Sequence, residues 1–215
     1  DLIKDSNIKS ILSPSTGLNH IDVESVPIVS VKNDKVLSNV WSTAEHTLYL
    51  MLSIVRGKHE LHEKILGIIG YGRLGKMVET LCKPLFKKII SVDKGDSLDE
   101  LYEKSDMVSI HMDYNPTTEY MIDNEFLSHF KKNIYLINTA RGEIVNEQDI
   151  KHLLSVGRIK GYATDVLQTE YNEQKSVFYG VDYVITTPHI AGVTLEAQEK
   201  TYKRVLEKWN NMNHK

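Results

Sequence analysis

The chain reads as α/β with open parallel sheets, and three observations carry that reading. Residues 64–165 alternate short apolar runs (65–69, 89–92, 107–110, 134–137, 161–164) with segments of helical period (73–82, 97–104, 123–129, 147–156). Apolar strands separated by helices form a parallel sheet covered on both faces, since each crossover lays a helix over the strands. A glycine-rich turn stands between the first of these strands and the first of these helices. Arg141, Asp165 and His189 each fall just after a strand, where open parallel sheets place ligands.

Each element follows from local pattern. Residues 11–13 precede a Pro-Ser-Thr-Gly turn, and 28–31 read as a second short strand. Two such strands cannot close a core alone. From Ser42 to Arg56 the period changes, with Ala44, Thr47, Leu48, Met51 and Val55 at three- and four-residue steps. Ser42 or Thr43 can cap this helix, and Glu45 suits the positive end of its dipole. Leu50, Leu52 and Ile54 widen the apolar face, so burial on most sides is expected, as at a domain junction or subunit interface. A strand at 184–187 and a helix at 196–209 follow, with a short solvated tail.

Composition excludes several classes. The 215 residues suit one large domain or two modest ones, and 41% hydrophobic content supports a core. The 26 basic residues are interspersed with 29 acidic ones, leaving no concentrated basic face for nucleic acid. The single cysteine, Cys82, forms no intrachain disulfide and no Cys/His metal spacing, so no metal is expected. No run of 18 apolar residues suits a membrane span and no signal peptide is visible, which makes the cytoplasm the default expectation. The chain opens without methionine on DLIKDSNIKSILSPSTG, as a processed or truncated chain would.

The sharpest local motif is LGIIGYGRLGK at 66–76. Gly70, Gly72 and Gly75, with Arg73 and Leu74 between them, form G-x-G-x-x-G after a strand and at the opening of a helix. Gly70 allows the tight turn, Gly72 lets backbone approach a pyrophosphate, and Gly75 lets the helix lie close to the sheet. The helix N-terminus offers free N–H groups to phosphate. Asp93 ends the next strand, 18 residues after Gly75, where a carboxylate accepts from ribose hydroxyls and repels a 2′-phosphate. NAD is therefore expected over NADP. Gly70 to Lys76 also matches the start of a nucleoside-triphosphate loop, but Met77 stands where a magnesium-holding Ser or Thr belongs.

A second constellation suits hydride transfer between NAD and a 2-hydroxy acid. Arg141 offers a rigid fork of donors for a planar carboxylate. His189 titrates near neutral pH and can exchange a proton with a carbonyl oxygen. A carboxylate beside it would favour its protonated form. By local pattern Glu170 reads equally as one of the solvated acids of QTEYNEQK, and His189 as a packed loop histidine. His20, His46, His59, His62, His129 and His152 read as surface or packing residues, while His111 lies at a strand end near the cofactor without a proton task.

These pieces together resemble the D-isomer-specific 2-hydroxyacid dehydrogenase family. The matching segments are STAEHTLYLMLSIVR at 42–56, LGIIGYGRLGK, Asp93, SLDELYEKSDMVSIH at 97–111, INTARGEIVNEQDI at 137–150, GYATDV at 161–166 and TPHIAG at 187–192. The resemblance implies two domains with open parallel sheets and a cleft between them: a Rossmann-type NAD-binding domain at 42–190 with its leading helix, and a substrate domain made of 1–41 and a helix returning at 191–215. It implies that Arg141 binds the substrate carboxylate and carbonyl, and that His189 is the acid/base with Glu170 as its partner. Asp165, Thr139 and Ala140 would line the nicotinamide end, and His111 would approach the cofactor. A small 2-keto or 2-hydroxy acid and a second copy of the chain are the implied partners.

Departures from the family pattern are expected to matter locally. Segments upstream of residue 1, between Arg56 and Lys64, and between Asp93 and Ser97 are shorter than in typical members, so the chain reads as omitting residues and its first domain as incomplete. Asp113 replaces a usual proline after His111, Gln168 replaces a usual Glu, and Tyr171 replaces a usual proline. The competing reading is a dinucleotide-sensing regulatory protein of the same fold. The joint presence of Arg141, Glu170 and His189 weighs against it, and Glu170 weighs against a formate oxidiser, which generally carries Gln there.

Overall fold

A computed structural model describes residues 7–18, 21–170 and 176–213. The chain divides into two compact units, Thr43–Ala191 and a second made of Asp1–Ser42 with Gly192–Lys215.

Among the described residues, the larger unit is built on a six-stranded, all-parallel sheet. Its strands are β3 (Ile65–Ile69), β4 (Lys88–Val92), β5 (Met107–Ile110), β6 (Ile134–Asn138), β7 (Ile159–Thr164) and β8 (Val184–Thr186), in the spatial order β4-β3-β5-β6-β7-β8. Helices α2 (Arg73–Cys82), α3 (Asp99–Lys104), α4 (Asn124–Ser128) and α5 (Glu147–Ser155) fill successive crossovers, and α1 (Ser42–Val55) precedes the sheet.

Strand side chains alternate between two cores, as the two-residue period requires. In β6, Ile134 and Leu136 join Leu101, Leu127, Phe130, Ile150 and Leu153 from α3, α4, α5 and the loop after α4. Tyr135 and Ile137 join Leu50, Met51 and Ile54 of α1 and Met77, Val78 and Cys82 of α2 on the opposite face. Burial pushes the Cys82 thiol up to about 12, so it acts as a small apolar group. Strand order reverses beside β3, which creates the crevice where doubly wound sheets hold nucleotides.

α1 differs from the expectation of burial on most sides. Ala44, Thr47, Leu50, Met51, Ile54 and Val55 are buried, whereas Tyr49 is 53% and Leu52 47% exposed. One face is covered by the sheet, and the other faces solvent in the single chain. α1 lies close to the sheet because Gly161 has no side chain: a Cβ there would sit 2.9 Å from Ile54 Cδ1.

The smaller unit pairs β1 (Ile11–Ser13) with β2 (Ile28–Ser30) in parallel and packs them against α6 (Leu195–Asn213), which is longer at both ends than its pattern indicates. Val29, Val31, Leu37 and Val205 form its core. Asp34 caps a short 3-10 turn through Val36 N and pairs with Arg204 Nε at 2.9 Å. The Val36 N–H bond and the Arg204 charge hold the Asp34 carboxyl below its usual range. Among the described residues no helix is long and apolar enough to cross a membrane.

Candidate active site

The first half of the site is the glycine turn after β3. Gly70 has φ +93°, and a Cβ on it would lie 2.6 Å from the His111 carbonyl carbon, so only glycine fits. A Cβ on Gly75 would meet Gly70 O at 2.3 Å, which shows how closely α2 seats on the turn. Gly72 is exposed, and its Cβ would have nothing within 4 Å. It begins α2 with no side-chain cap, and the first turn of α2 holds no acid. The opening N–H groups of α2 are thus available to an anion.

Neighbouring residues complete this half. Arg73 is exposed, with Nη1 3.5 Å from Met77 Sδ, while Leu74 packs into the α1/α2 core. Asp93 follows β4, is exposed, and accepts from Lys94 N through Oδ1 at 2.9 Å. It stands beside the turn because Gly70 N donates to Val92 O at 2.9 Å. An open glycine, an uncapped helix and an adjacent strand-end carboxylate fit a dinucleotide's pyrophosphate and ribose. His111 lies behind the turn, its Nε2 2.8 Å from Ser109 Oγ. Burial depresses its pKa to about 3, which favours the neutral imidazole.

The second half gathers the loops after β6, β7 and β8. Asn138 ties the first loop to itself: Oδ1 accepts from Ala140 N and Nδ2 donates to Arg141 O, both at 2.9 Å. Arg141 is in extended backbone, and its Nη1 donates to Ala140 O at 2.6 Å. Thr139 Oγ1 lies 2.8 Å from Thr47 Oγ1, whose own proton goes to Thr43 O, so Thr139 is the donor. A Cβ on Gly142 would lie 2.3 Å from the Leu167 carbonyl carbon, so this loop and residues 167–168 pack backbone to backbone.

Glu170 faces His189 rather than bulk solvent. Its Oε2 lies 2.6 Å from His189 Nδ1, and its Oε1 accepts from Leu167 N. The Glu170 hydrogen bond raises the imidazole above its ordinary value, against burial and the Arg141 charge. With Nδ1 engaged, Nε2 is the atom left for proton exchange.

Asp165, expected toward the nicotinamide, is 1% exposed and engaged inside the chain. Its Oδ1 accepts from the Thr187 hydroxyl at 2.6 Å and Ile190 N at 2.9 Å, and its Oδ2 from Ala191 N at 2.7 Å. It builds the loop that carries His189, whose φ is +54°.

Several supporting residues escaped the sequence reading. Thr187 lies in TPHIAG and Glu147 in INTARGEIVNEQDI, but local pattern gives neither a task. Glu147 is 1% exposed; Oε1 accepts from Gln168 N at 2.9 Å, and burial raises its pKa. Gln168 Nε2 donates to Val145 O, a bond that an ionised carboxylate at this position could not make. His46, read as a surface or packing residue, bonds to Thr187 across 141 positions, a distance no local pattern reveals. Tyr171, His20 and the terminal tail lie outside the described residues.

Residues 51–191 match the profile of the D-isomer specific 2-hydroxyacid dehydrogenase NAD binding domain. A D-specific alpha-keto acid dehydrogenase of Enterococcus faecium is 29% identical over 244 residues, covering 95% of this chain and 76% of that protein. That span exceeds the 215 residues present here, so the relative carries residues within the matched region that this chain lacks. Among solved structures, an NAD-dependent formate dehydrogenase from Staphylococcus aureus in complex with NAD superposes with a TM-score of 0.83 at 29% identity, covering 96% of this chain and 73% of that one. A D-lactate dehydrogenase from Aquifex aeolicus, complexed with NAD and lactic acid, gives 0.79 at 27% identity, covering 97% and 77%. With an NAD-binding domain matched over most of its length and the same parallel-sheet architecture, this chain belongs to the D-isomer-specific 2-hydroxyacid dehydrogenase family, whose cofactor is NAD.

Proposed function

We propose that this protein interconverts a 2-keto acid and a D-2-hydroxy acid, with Arg141 binding the carboxylate and carbonyl and His189 as the acid/base paired to Glu170. The contact that carries this reading is His189 Nδ1 to Glu170 Oε2 at 2.6 Å. NAD, when bound, supplies the hydride chemistry. Glu170 favours the imidazolium, which holds a proton at Nε2 for the carbonyl oxygen in the reductive direction; in the oxidative direction the neutral imidazole takes the hydroxyl proton at Nε2 and becomes that imidazolium. Arg141 neutralises the carboxylate and polarises the carbonyl. The first turn of α2 takes the pyrophosphate, and Asp93 takes the adenosine ribose and disfavours NADP. Thr139 and Ala140 line the nicotinamide end, and Asp165 holds the His189 loop.

The domain assignment belongs to the same proposal: 42–190 binds the cofactor, and 1–41 with 191–215 contributes to substrate binding. So does a homodimer, supported by the exposed Tyr49 and Leu52 of α1. The likeness to a formate dehydrogenase carries less weight than Glu170 beside the imidazole.

Absorbance at the NADH band tests this reading with glyoxylate, pyruvate, hydroxypyruvate, phenylpyruvate, 2-ketoisocaproate and 2-ketoglutarate. Turnover on one acid, with NADH preferred, is expected. His189→Asn should lower kcat by about 100-fold or more with NADH binding retained, and Arg141→Ala should weaken substrate handling and turnover together. Because the His189 pKa is raised, reduction should persist past the ordinary histidine range and fall as pH rises through the raised value. Tight NADH binding without turnover on any acid would favour a sensing role.

A further inference from the structure

Two layers of hydrogen bonds support the His189 loop. In the inner layer the Asp165 carboxylate holds Thr187, Ile190 and Ala191. The His189 N–H is shared by Asp165 O and Thr187 O, each at 3.0 Å. This keeps His189 at φ +54°, a left-handed conformation that persists only where the surroundings over-determine it.

The outer layer is His46. Its Nε2 lies 2.9 Å from Thr187 Oγ1 and 3.5 Å from Asp165 Oδ1, and its side chain is 15% exposed. Its ring tilts against Tyr49 at 5.4 Å. The proton directions follow from the inventory of donors. Thr187 has a single hydroxyl hydrogen, and the carboxylate at 2.6 Å takes it. The His46 contact is therefore donated by Nε2–H. That donation polarises the Thr187 hydroxyl toward Asp165. The next residue, Thr47, receives the Thr139 hydroxyl. Two consecutive residues of α1 thus tie down two strand-end loops, one carrying Arg141 and the other His189.

We propose that His46 is a positioning residue: its Nε2–H, acting through Thr187 and Asp165, sets the backbone at His189 and so aims the imidazole at Glu170. The consequence for turnover rests on the proposed acid/base role of His189; the geometric claim does not.

The test uses the full chain and two variants. His46→Phe keeps a ring against Tyr49 but removes the donor, and His46→Gln places an amide N–H at similar reach. The imidazole of His189 is followed by NMR titration, with its resonance assigned by loss in His189→Asn. The groups that bias this titration are Glu170, Asp165 and Arg141. In His46→Phe the His189 midpoint should fall toward the ordinary histidine value by about half a unit or more, while His46→Gln should titrate like the parent. On whichever acid is turned over, His46→Phe should lower kcat by about five- to tenfold, with NADH affinity within about twofold and His46→Gln restoring most of the loss. An unchanged His189 midpoint in folded His46→Phe would overturn the proposal, as would His46→Gln behaving like His46→Phe. If His46→Phe does not fold, His46→Ala replaces it in the same comparison. Unaltered turnover in His189→Asn would instead sink the acid/base role and leave the titration result standing.

Discussion

Glu147 shows how one buried side chain couples folding to pH near the site. Its carboxyl has one oxygen bonded to Gln168 N and a second, Oε2, with no hydrogen-bond partner among the described residues. Burial raises its folded pKa above the ordinary glutamate value. The associated stability is complete below that value and is lost as pH rises through the folded pKa. Glu147→Gln keeps the acceptor for Gln168 N and removes the buried charge. It should raise Tm by about 2–4 °C at pH 8, equivalent to roughly 1 kcal/mol, and by much less at pH 4. Calorimetry at the two pH values checks the sign, and an equal gain at both would contradict a charge effect. Such residues are invisible to pattern reading because their meaning lies in burial. Glu170 makes the same point: a carboxylate in an acidic, polar stretch becomes the partner of His189 only when the ends of β7 and β8 meet.

On the proposed cofactor site, the turn between β3 and α2 should separate folding from binding within a single motif. A Cβ on Gly75 would collide with Gly70 O at 2.3 Å, whereas one on Gly72 would meet nothing within 4 Å. Gly75→Ala should therefore destabilise the protein by several kcal/mol, in the manner of an overpacked core. Gly72→Ala should melt within about 2 °C of the parent yet bind NADH at least about tenfold more weakly, because in the proposed site the new methyl would occupy space the pyrophosphate needs. Thermal melts paired with fluorescence titration of NADH distinguish the two. A Gly72→Ala chain with full NADH affinity would remove this turn from the cofactor site. Strands and helices here were readable because short continuous apolar runs bounded by turns differ so clearly from segments of helical period. The exposed face of α1 was not, since a run of apolar residues does not tell which of them the sheet will cover.

The two units differ in their capacity to stand alone. Thr43–Ala191 contains the six-stranded sheet and a core on each face. Among its described residues the smaller unit has two three-residue strands, one long helix and a core centred on Val29, Val31, Leu37 and Val205. Stability grows with the surface a domain buries, and a unit this small buries too little. Residues 43–191 expressed alone should unfold cooperatively and bind NADH within about fivefold of the full chain while losing turnover. Residues 1–42 fused to 192–215 should show no cooperative melt. A non-cooperative melt of 43–191 would show that its core depends on the rest of the chain.

The amino-acid order alone specified the parallel sheet, the glycine turn at 70–75, the strand-end position of Asp93 and the family. Those features reside in short-range periodicity and in motifs whose residues touch one another within a turn or two. It did not specify that Asp165 is committed to building the His189 loop, that Glu147 is buried beneath residues 167–168, or that His46 reaches Thr187. Each of those facts depends on which strand ends become neighbours in the order β4-β3-β5-β6-β7-β8 and on where α1 crosses them. Burial and long-range hydrogen bonding are properties of the assembled sheet, so they entered only when the strands were in place.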